Sequence, residues 1–333
     1  MIMKSSTRMF TAPPIYGNNF WEELMKKYIK IARPDHWIKQ LFVFPGCMFA
    51  FLLAGTAGNA GEIFLRIVLG FFSTCFIASS NYVINEWLDA EFDKYHPTKK
   101  YRSVVQEDVK GYIVYTEYAI LTVIGFVFGY FAGIPVLACE VWLWVMGILY
   151  NVKPFRTKDV AILDVLSESV NNAIRLLIGW FCITQIFYPP VSIVIGYWMG
   201  GAFLMAMKRY AEYCMINDPE LAGKYRKSFR YYTKELLLNS AFFYAMCSSF
   251  LMGVFLIKYK VEFVIFVPFV FLLFCYYFHI AQKDDSAAQK PEKLFKERWL
   301  MLYVVFLCVL FVILLLVDIP VLELFMGTEL IPM

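Results

Sequence analysis

Residues 70–84 read GFFSTCFIASSNYVI and run directly into NEWLDAEFDKYHPTKKYR at residues 85–102. The first stretch has the composition of a helix in hydrocarbon. The second brings acids and an asparagine, followed by a group of cations. Charge at the end of a membrane helix is expensive unless something binds it. This junction therefore predicts a membrane helix that ends in a polar binding site.

The whole chain has the composition of an integral membrane protein. Its 333 residues are 60% hydrophobic and 17% charged, with a mean hydropathy of +0.58, whereas a soluble domain is nearer to one quarter charged. A spanning helix needs about 20 mostly apolar residues. The chain lacks the alternation of a membrane β-barrel, so we expect an all-α membrane protein with about nine transmembrane helices. The candidate spans are residues 37–54, 63–85, 112–131, 134–150, 161–183, 190–207, 236–257, 261–280 and 299–317.

The cations of the chain indicate its orientation in the membrane. Of the 31 Lys and Arg residues, 27 fall in residues 1–39, 86–110, 151–159, 208–234 and 281–298. By the positive-inside rule these segments lie in the cytoplasm, which predicts an inner-membrane protein with a cytoplasmic N-terminus. The net charge of +4 thus reflects a one-sided basic face rather than a nucleic-acid binder.

No linker rich in Pro, Gly or Ser divides the chain, so we expect one membrane domain. It would extend over residues 36–320, between a cytoplasmic N-terminal segment at 1–35 and a non-cytoplasmic tail at 321–333. The first thirty residues lack the apolar core of a signal peptide.

The first acidic cluster forms a stripe on a helix. Asn81, Asn85, Asp89 and Asp93 are four residues apart, a spacing that places them on one face. Two carboxylates on one stripe repel each other unless a cation lies between them. Hard oxygen ligands that leave one side open suit Mg²⁺, which substrate phosphates then complete. The stripe therefore predicts a magnesium site.

Cations follow the stripe within a few residues, at His96, Lys99, Lys100 and Arg102. Acids that hold a divalent ion and cations close to them make a cradle for a diphosphate. Two plainer interpretations stay open: the acids pair with Lys94 or Lys99 at a solvated helix end, and the cations only anchor the chain at the inner face.

A second polar cluster begins where the fourth apolar span ends at Tyr150. The loop and the fifth span contribute Lys153, Arg156, Lys158, Asp159, Asp164, Glu168, Asn171, Asn172 and Arg175. Ionisable groups inside a span should face a polar cavity, because facing lipid costs several kcal/mol each. A structural pairing of Arg175 with Glu168 or Asp164 is the alternative. Lys208 and Arg209, at the end of the sixth span, either bind phosphate or extend to the interface.

These motifs resemble the UbiA superfamily of intramembrane prenyltransferases, which has nine spans and two aspartate-rich motifs. Its first motif, NDxxDxxxD, is matched by Asn85, Glu86, Asp89 and Asp93, with glutamate in the second position. The resemblance covers nearly the whole chain. It implies a UbiA-like bundle around a central, lipid-open cavity that also opens to the cytoplasmic side.

The decaprenyl-phosphate phosphoribosyltransferase branch is more similar still. It shares segments like RPDHWIKQ at 33–40 and HPTKKYR at 96–102, the KRYAE string at 208–212 and the RKS segment at 226–228. The spacing of Lys158, Asp164 and Arg175 agrees as well.

The resemblance implies a role for each candidate residue. Asn85, Asp89, Asp93 and Asp164 would bind Mg²⁺, and Asp89, Asp93, Asp164 and Lys158 would be catalytic. The expected substrate-binding residues are Lys39, His96, Lys99, Arg102, Tyr150, Lys153, Arg156, Arg175, Lys208 and Arg209.

Three departures concern the substrate more than the fold. Glu86 replaces an aspartate, and Ser103 stands where the branch commonly has proline. Asp159 and Asp164 are five residues apart rather than the four of a DxxxD motif.

The branch implies Mg²⁺-dependent transfer of a phosphoribosyl group from phosphoribosyl diphosphate to a polyprenyl phosphate. The first alternative is transfer of a polyprenyl group from its diphosphate to an aromatic or other small acceptor. A more distant one is a lipid-binding or transport protein, which would have polar residues near the bilayer midplane in both halves. The expected partners are the bilayer, the lipid and the small co-substrate, without nucleic acid. The sequence does not decide the oligomeric state, and a homo-oligomer is one of the states we expect.

Overall fold

In the computed structural model, all regular elements of the described residues are helices. The structure describes residues 26–55, 58–95, 99–106, 109–216, 218–283, 286–289, 294 and 297–322. His96, most of the N-terminal segment 1–35 and all but two residues of the tail 321–333 lie outside these ranges.

Nine long helices account for most of the described residues. They are α1 (Lys26–Ala54), α2 (Ala60–Asp93), α3 (Gly111–Ala132), α4 (Ile134–Asn151), α5 (Leu163–Ile183), α6 (Val191–Ile216), α7 (Lys234–Tyr259), α8 (Val267–Ala281) and α9 (Arg298–Leu316). Pro34–Val43 within α1 is a 3-10 helix. Each of the nine predicted spans overlaps one of these helices, so the all-α fold class is confirmed.

Within the described residues, eight helical segments are long and apolar enough to cross a membrane. The exception among the nine helices is α5, because it carries Asp164, Glu168 and Arg175. A count of nine spans and a central cavity open to the cytoplasm therefore stay predictions. Helices α2 and α6 continue about two turns beyond their predicted apolar spans, to Asp93 and Ile216.

Helix α5 is the centre of the bundle, packed against α1, α2, α4 and α6. Its approach to α1 is very close: a Cβ added at Gly179 would lie 1.9 Å from the carbonyl oxygen of Val43. A Cβ at Gly46 would lie 1.9 Å from the carbonyl oxygen of Leu176. Small residues allow such contacts between membrane helices. The charged helix is thereby shielded from lipid by its neighbours.

Helix α9 differs from α5 because it has large exposed apolar side chains. In α9 the side chains of Trp299 and Leu316 are each 76% exposed. Such a surface is stable only against lipid or another apolar partner. Together with the eight candidate spans, it identifies an integral membrane protein.

The loop between α4 and α5 turns sharply so that its cations face α2. Arg156 (φ 32°) and Ile162 (φ 70°) both have positive φ without being glycine. Such residues persist where the surrounding contacts fix them, and they are common at functional sites. The turn brings Arg156 and Lys158 against the polar end of α2.

Candidate active site

The two predicted clusters meet at Asp89. Its Oδ1 atom lies 2.6 Å from Lys158 Nζ and accepts a hydrogen bond of 2.9 Å from Arg156 Nη2. Asn85, one turn earlier, donates to Asn151 Oδ1, which also accepts a hydrogen bond of 2.7 Å from Lys158. The acidic stripe of α2 and the basic loop after α4 therefore form one site.

The last acid of the stripe has a different partner. Asp93, 1% exposed, accepts a hydrogen bond of 2.5 Å from Arg102 Nη1, whose Nε lies 3.9 Å from Glu86. Lys99 instead lies 2.9 Å from Glu212 and also donates to Tyr225. Arg102 is therefore a described partner of Asp93 that the alternative pairing of these acids with Lys94 or Lys99 did not include.

The second acidic motif contains one saturated and one partly open carboxylate. Asp164 is fully buried, and its two oxygens accept from Tyr232 at 2.5 Å and from Ser228 and Arg209 at 3.2 Å each. Arg226 Nη1 also lies 3.6 Å from Asp164 Oδ2. These four groups of the protein itself therefore occupy the oxygens of Asp164.

Glu168, one turn after Asp164, is more open. Its Oε2 atom accepts hydrogen bonds of 2.6 Å from Arg209 and from Tyr150, and its side chain is 29% exposed. Arg209 also contacts Glu212 at 3.2 Å, so one buried guanidinium joins three acids. The described partners of Glu168 all contact Oε2.

The alternative pairing of Arg175 with an acid of its own helix is not formed. Its Nε donates to Gln40 Oε1 at 2.7 Å, and its Nη1 donates to Asn172 at 3.2 Å. Arg209 supplies the charge for Asp164 and Glu168 instead. Arg175 thus lies deeper in the bundle, among neutral polar groups.

Four predicted substrate-binding residues remain: Lys39, Lys208, Lys153 and His96. Lys39 lies beside His36 with its Nζ 2.9 Å from Nδ1, and Lys208 is half-buried near the charge of Glu168. Lys153 is exposed and stands apart from the cluster. His96 is outside the described residues.

Burial and nearby acids shift the pKa values of the cations in the loops. Burial lowers the pKa of Lys158 to about 8, although Asp89 beside it acts in the opposite direction. Burial likewise lowers the pKa of Lys99, against the effect of Glu212. Arg102 shows the opposite result: burial opposes its charge, but Asp93 and Glu86 raise its pKa.

The sequence reasoning missed several side chains that complete the site. Tyr225, Arg226, Ser228 and Tyr232 come from the segment between α6 and α7, and Asn151 ends α4. The RKS segment at 226–228 was the one signal for this region. The contacts of this segment with Asp164 join residues more than 60 positions apart, which no local pattern reveals.

The donor set fits a magnesium ion in part. The described residues include no group of three or more His, Cys, Asp and Glu side chains arranged around a metal position. However, carboxylate and carboxamide oxygens are what Mg²⁺ prefers, and it usually keeps waters and adds substrate phosphates. The described partners of Asp89 all contact Oδ1, which leaves Oδ2 for a metal. Asn85 and Asp89 are therefore suitable as part of such a site.

The described residues thus form a bundle of long apolar helices with buried acids and cations near one end, which is the architecture of an intramembrane protein with a polar site. The sequence model of the UbiA prenyltransferase family matches residues 43–305. The chain belongs to that family, and the resemblance seen in its motifs is confirmed.

Relatives and solved structures agree with this assignment. The decaprenyl-phosphate phosphoribosyltransferases of Mycolicibacterium smegmatis and Corynebacterium glutamicum are each 27% identical to this chain. The matches span 65% of this chain and 65% of the first protein, and 63% and 60% for the second, in each case less than two thirds of the relative. A UbiA homologue from Archaeoglobus fulgidus, solved with DMAPP and Mg²⁺, superposes with a TM-score of 0.65 at 16% identity. That superposition covers 87% of this chain and 100% of the other, and it shows the shared fold.

Proposed function

We propose that this UbiA-family protein is a Mg²⁺-dependent transferase that moves a 5-phosphoribosyl group from phosphoribosyl diphosphate to a polyprenyl phosphate. The observation that carries the proposal is the concentration of cations at the acid-bearing ends of α2 and α5. Five of them contact these acids: Arg102, Arg156, Lys158, Arg209 and Arg226. A donor with a diphosphate and a further phosphate needs more positive charge than a simple prenyl diphosphate does. The names of the two bacterial relatives support the same substrate class.

The proposed reaction exchanges one bond at C1 of the ribose. The bond from C1 to the diphosphate oxygen breaks, and an oxygen of the lipid phosphate forms the new bond to C1. A phosphate monoester is already ionised near neutral pH, so the attacking oxygen needs no general base. Diphosphate leaves with both bonding electrons and the charge that they carry.

The residues at Asp89 would meet that charge. Arg156 and Lys158, fixed by Asp89 at 2.9 and 2.6 Å, would act as fixed donors toward the departing diphosphate. Asn85, Asp89 and Asp93 would hold Mg²⁺, whose charge offsets that of the diphosphate. Donors fixed before the reaction stabilise developing charge without reorganising.

The segment between α6 and α7 would exclude water from the site. Tyr225 and Tyr232, buried at 5% and 3% exposure, contact Glu212 and Asp164 across the site. Electrostatic interactions are stronger in such a partly dry site than in water. An oxocarbenium-like ribose would also be protected there from hydrolysis.

The proposal places the protein in the inner membrane, with its site and N-terminus on the cytoplasmic side. The one-sided distribution of Lys and Arg along the chain supports this location. A soluble donor such as phosphoribosyl diphosphate would then reach the site from the cytoplasm.

The test is a transfer assay with the purified full chain in detergent. Phosphoribosyl diphosphate labelled in the ribose is incubated with Mg²⁺ and a polyprenyl phosphate, and label is counted in the lipid phase. We expect transfer that EDTA abolishes and that excess Mg²⁺ restores.

A parallel assay separates the two group-transfer reactions. It supplies a labelled prenyl diphosphate and an aromatic acceptor to the same preparation. Label in the alkylated acceptor, together with none from the ribosyl donor, would overturn the phosphoribosyl assignment and leave a prenyltransferase.

A further inference from the structure

A fully buried carboxyl group lies within α4, away from the candidate active site. Glu140 is 0% exposed and precedes Asn151, at the site end of α4, by about 16 Å along the helix axis. The described cations include no ion-pair partner for it, because Arg175 acts on it through its charge but contacts Gln40 and Asn172 instead. Buried charges in proteins are paired or bound to a metal ion. An ionised Glu140 therefore needs a compensating cation.

The contact between Glu140 and Thr74 fits the ionised form of the carboxyl group. Glu140 Oε1 lies 2.6 Å from Thr74 Oγ1, which is also 2.9 Å from the carbonyl oxygen of Gly70. The Thr74 hydroxyl has one proton, so it donates fully to only one of these two acceptors. The contact with Glu140 is the shorter one, and about 2.5–2.7 Å is typical of a hydroxyl that donates to a carboxylate.

The second oxygen of the same carboxyl group has no hydrogen-bond partner. Glu140 Oε2 is one of the buried side-chain atoms of the described residues for which no partner is present. Ser73 lies beside the carboxyl group, but its hydroxyl donates to the carbonyl oxygen of Gly125 at 2.7 Å. Ser73 therefore offers Glu140 the lone pairs of its oxygen and not its proton. A bound ion is one of the explanations for a buried polar atom of this kind.

The oxygens around Glu140 come from three helices that meet there. Ser73 and Thr74 belong to α2, and the carbonyl oxygen of Gly125 belongs to α3. Gly129 of α3 allows the close approach, because a Cβ there would lie 3.0 Å from Ser73 Oγ and 3.5 Å from Glu140 Cγ. Oxygen ligands suit a hard cation. A monovalent ion neutralises the single carboxylate, whereas a divalent one would leave a net positive charge buried.

We propose that Glu140, Ser73 and Thr74 form a sodium site that joins α2, α3 and α4. Glu140 Oε2 and the oxygen of Ser73 would be protein ligands of the ion, and Thr74 would orient the carboxylate through Oε1. A proton is the competing occupant, because it also neutralises the carboxylate. Helices α2 and α4 carry Asp89 and Asn151 at their other ends, so the ion would stabilise the packing that positions both. The inference does not depend on the proposed function.

Thermal unfolding of the purified full chain in detergent tests the sodium site without any turnover. Sodium chloride replaces choline chloride at constant ionic strength, because an ion that binds only the folded protein raises the thermal midpoint with its concentration. The variants are Glu140→Gln and Ser73→Ala, and the matched control is Glu62→Gln, which removes an exposed acid from the first turn of α2. We expect sodium to raise the midpoint of the wild type and of Glu62→Gln but not that of Glu140→Gln. Ser73→Ala should need about 10-fold more sodium for the same rise.

Binding of radioactive sodium to the same preparations is the second measurement, and we expect stoichiometric binding by the wild type and none by Glu140→Gln. A wild-type midpoint that does not respond to sodium, or a response of Glu140→Gln equal to that of the wild type, overturns the site. A wild-type midpoint that falls as the pH rises but ignores sodium also overturns it and leaves Glu140 a neutral buried acid. If Glu140→Gln does not fold, Ser73→Ala decides, and a sodium response equal to that of Glu62→Gln overturns the site.

Discussion

Two carboxylates of the same motif, Asp164 and Glu168, have opposite environments one helical turn apart. Asp164 is fully buried among four donors, whereas Glu168 keeps a 29% exposed side chain and all its described partners on one oxygen. A carboxylate with satisfied oxygens holds elements together, and one with an open oxygen is available to a ligand. We therefore expect Asp164 to position the segment after α6, and Glu168 to face the substrate.

This difference predicts distinct results for two conservative substitutions. Asp164→Asn removes the charge that Arg209, Ser228 and Tyr232 contact in a buried position, which should destabilise the protein by about 1–3 kcal/mol. Glu168→Gln should leave the thermal midpoint in detergent nearly unchanged and reduce transfer. Thermal unfolding and the transfer rate are measured on both. A larger loss of stability in Glu168→Gln than in Asp164→Asn would reverse the assignment.

Asp89 should matter most for the reaction, because it fixes two cations and offers one free oxygen. Asp89→Asn removes the charge that holds Arg156 and Lys158 and weakens the metal site. We expect transfer to fall about 100-fold or more. Glu91→Gln, an exposed acid two residues along the same helix, is the matched control and should keep full activity. Equal activity in the two variants would remove Asp89 from the mechanism.

At the scale of elements, the helix that is least recognisable as a span is the centre of the fold. Helix α5 carries acids and an arginine because its neighbours, and not lipid, surround it. Its charges can be tolerated since each has a partner on another helix or loop, such as Arg209 for Glu168 and Gln40 for Arg175. The contact between α5 and α1 depends on Gly179 in α5 and Gly46 in α1.

The close approach of α1 and α5 predicts a sharp effect of a single methyl group. Gly179→Ala would place a Cβ 1.9 Å from the carbonyl oxygen of Val43, so the helices must separate. Overpacking of this kind costs about 1–3 kcal/mol. We expect a lower thermal midpoint in detergent and reduced transfer. Gly61→Ala, where the nearest atom would be 3.7 Å away, is the control and should be as stable as the wild type.

Periodicity and composition predicted the helices and the stripe of α2. The i+4 spacing identifies a stripe because it depends only on helix geometry. The partners of Asp164 and Arg175 could not be predicted in this way, because they depend on how distant segments pack. The apolar span predicted at 63–85 covers only part of α2, and the continuation of the helix to Asp93 was predicted by the i+4 stripe. The polar end of a helix is invisible to a search for apolar residues.

At the scale of the whole molecule, the candidate site lies at one end of the bundle. The polar end of α2, the loop before α5 and the segment after α6 all meet there. Three of the five cation-rich segments of the sequence contribute to this end. The same Lys and Arg residues that predict the orientation of the chain in the membrane thus also contribute to the site.

The side of the membrane on which each end of α5 lies therefore tests the proposed location of the site. Lys94→Cys, an exposed position at the end of α2, should react with a membrane-impermeant maleimide only after cells are permeabilised. Tyr188→Cys, in the 87% exposed position between α5 and α6, should react in intact cells, because α5 starts at the site end and ends at the opposite one. The wild-type chain, whose eight cysteines all lie in long helices, gives the background. Labelling of both positions from the same side would contradict a single pass of α5 through the bilayer and, with it, a cytoplasmic site.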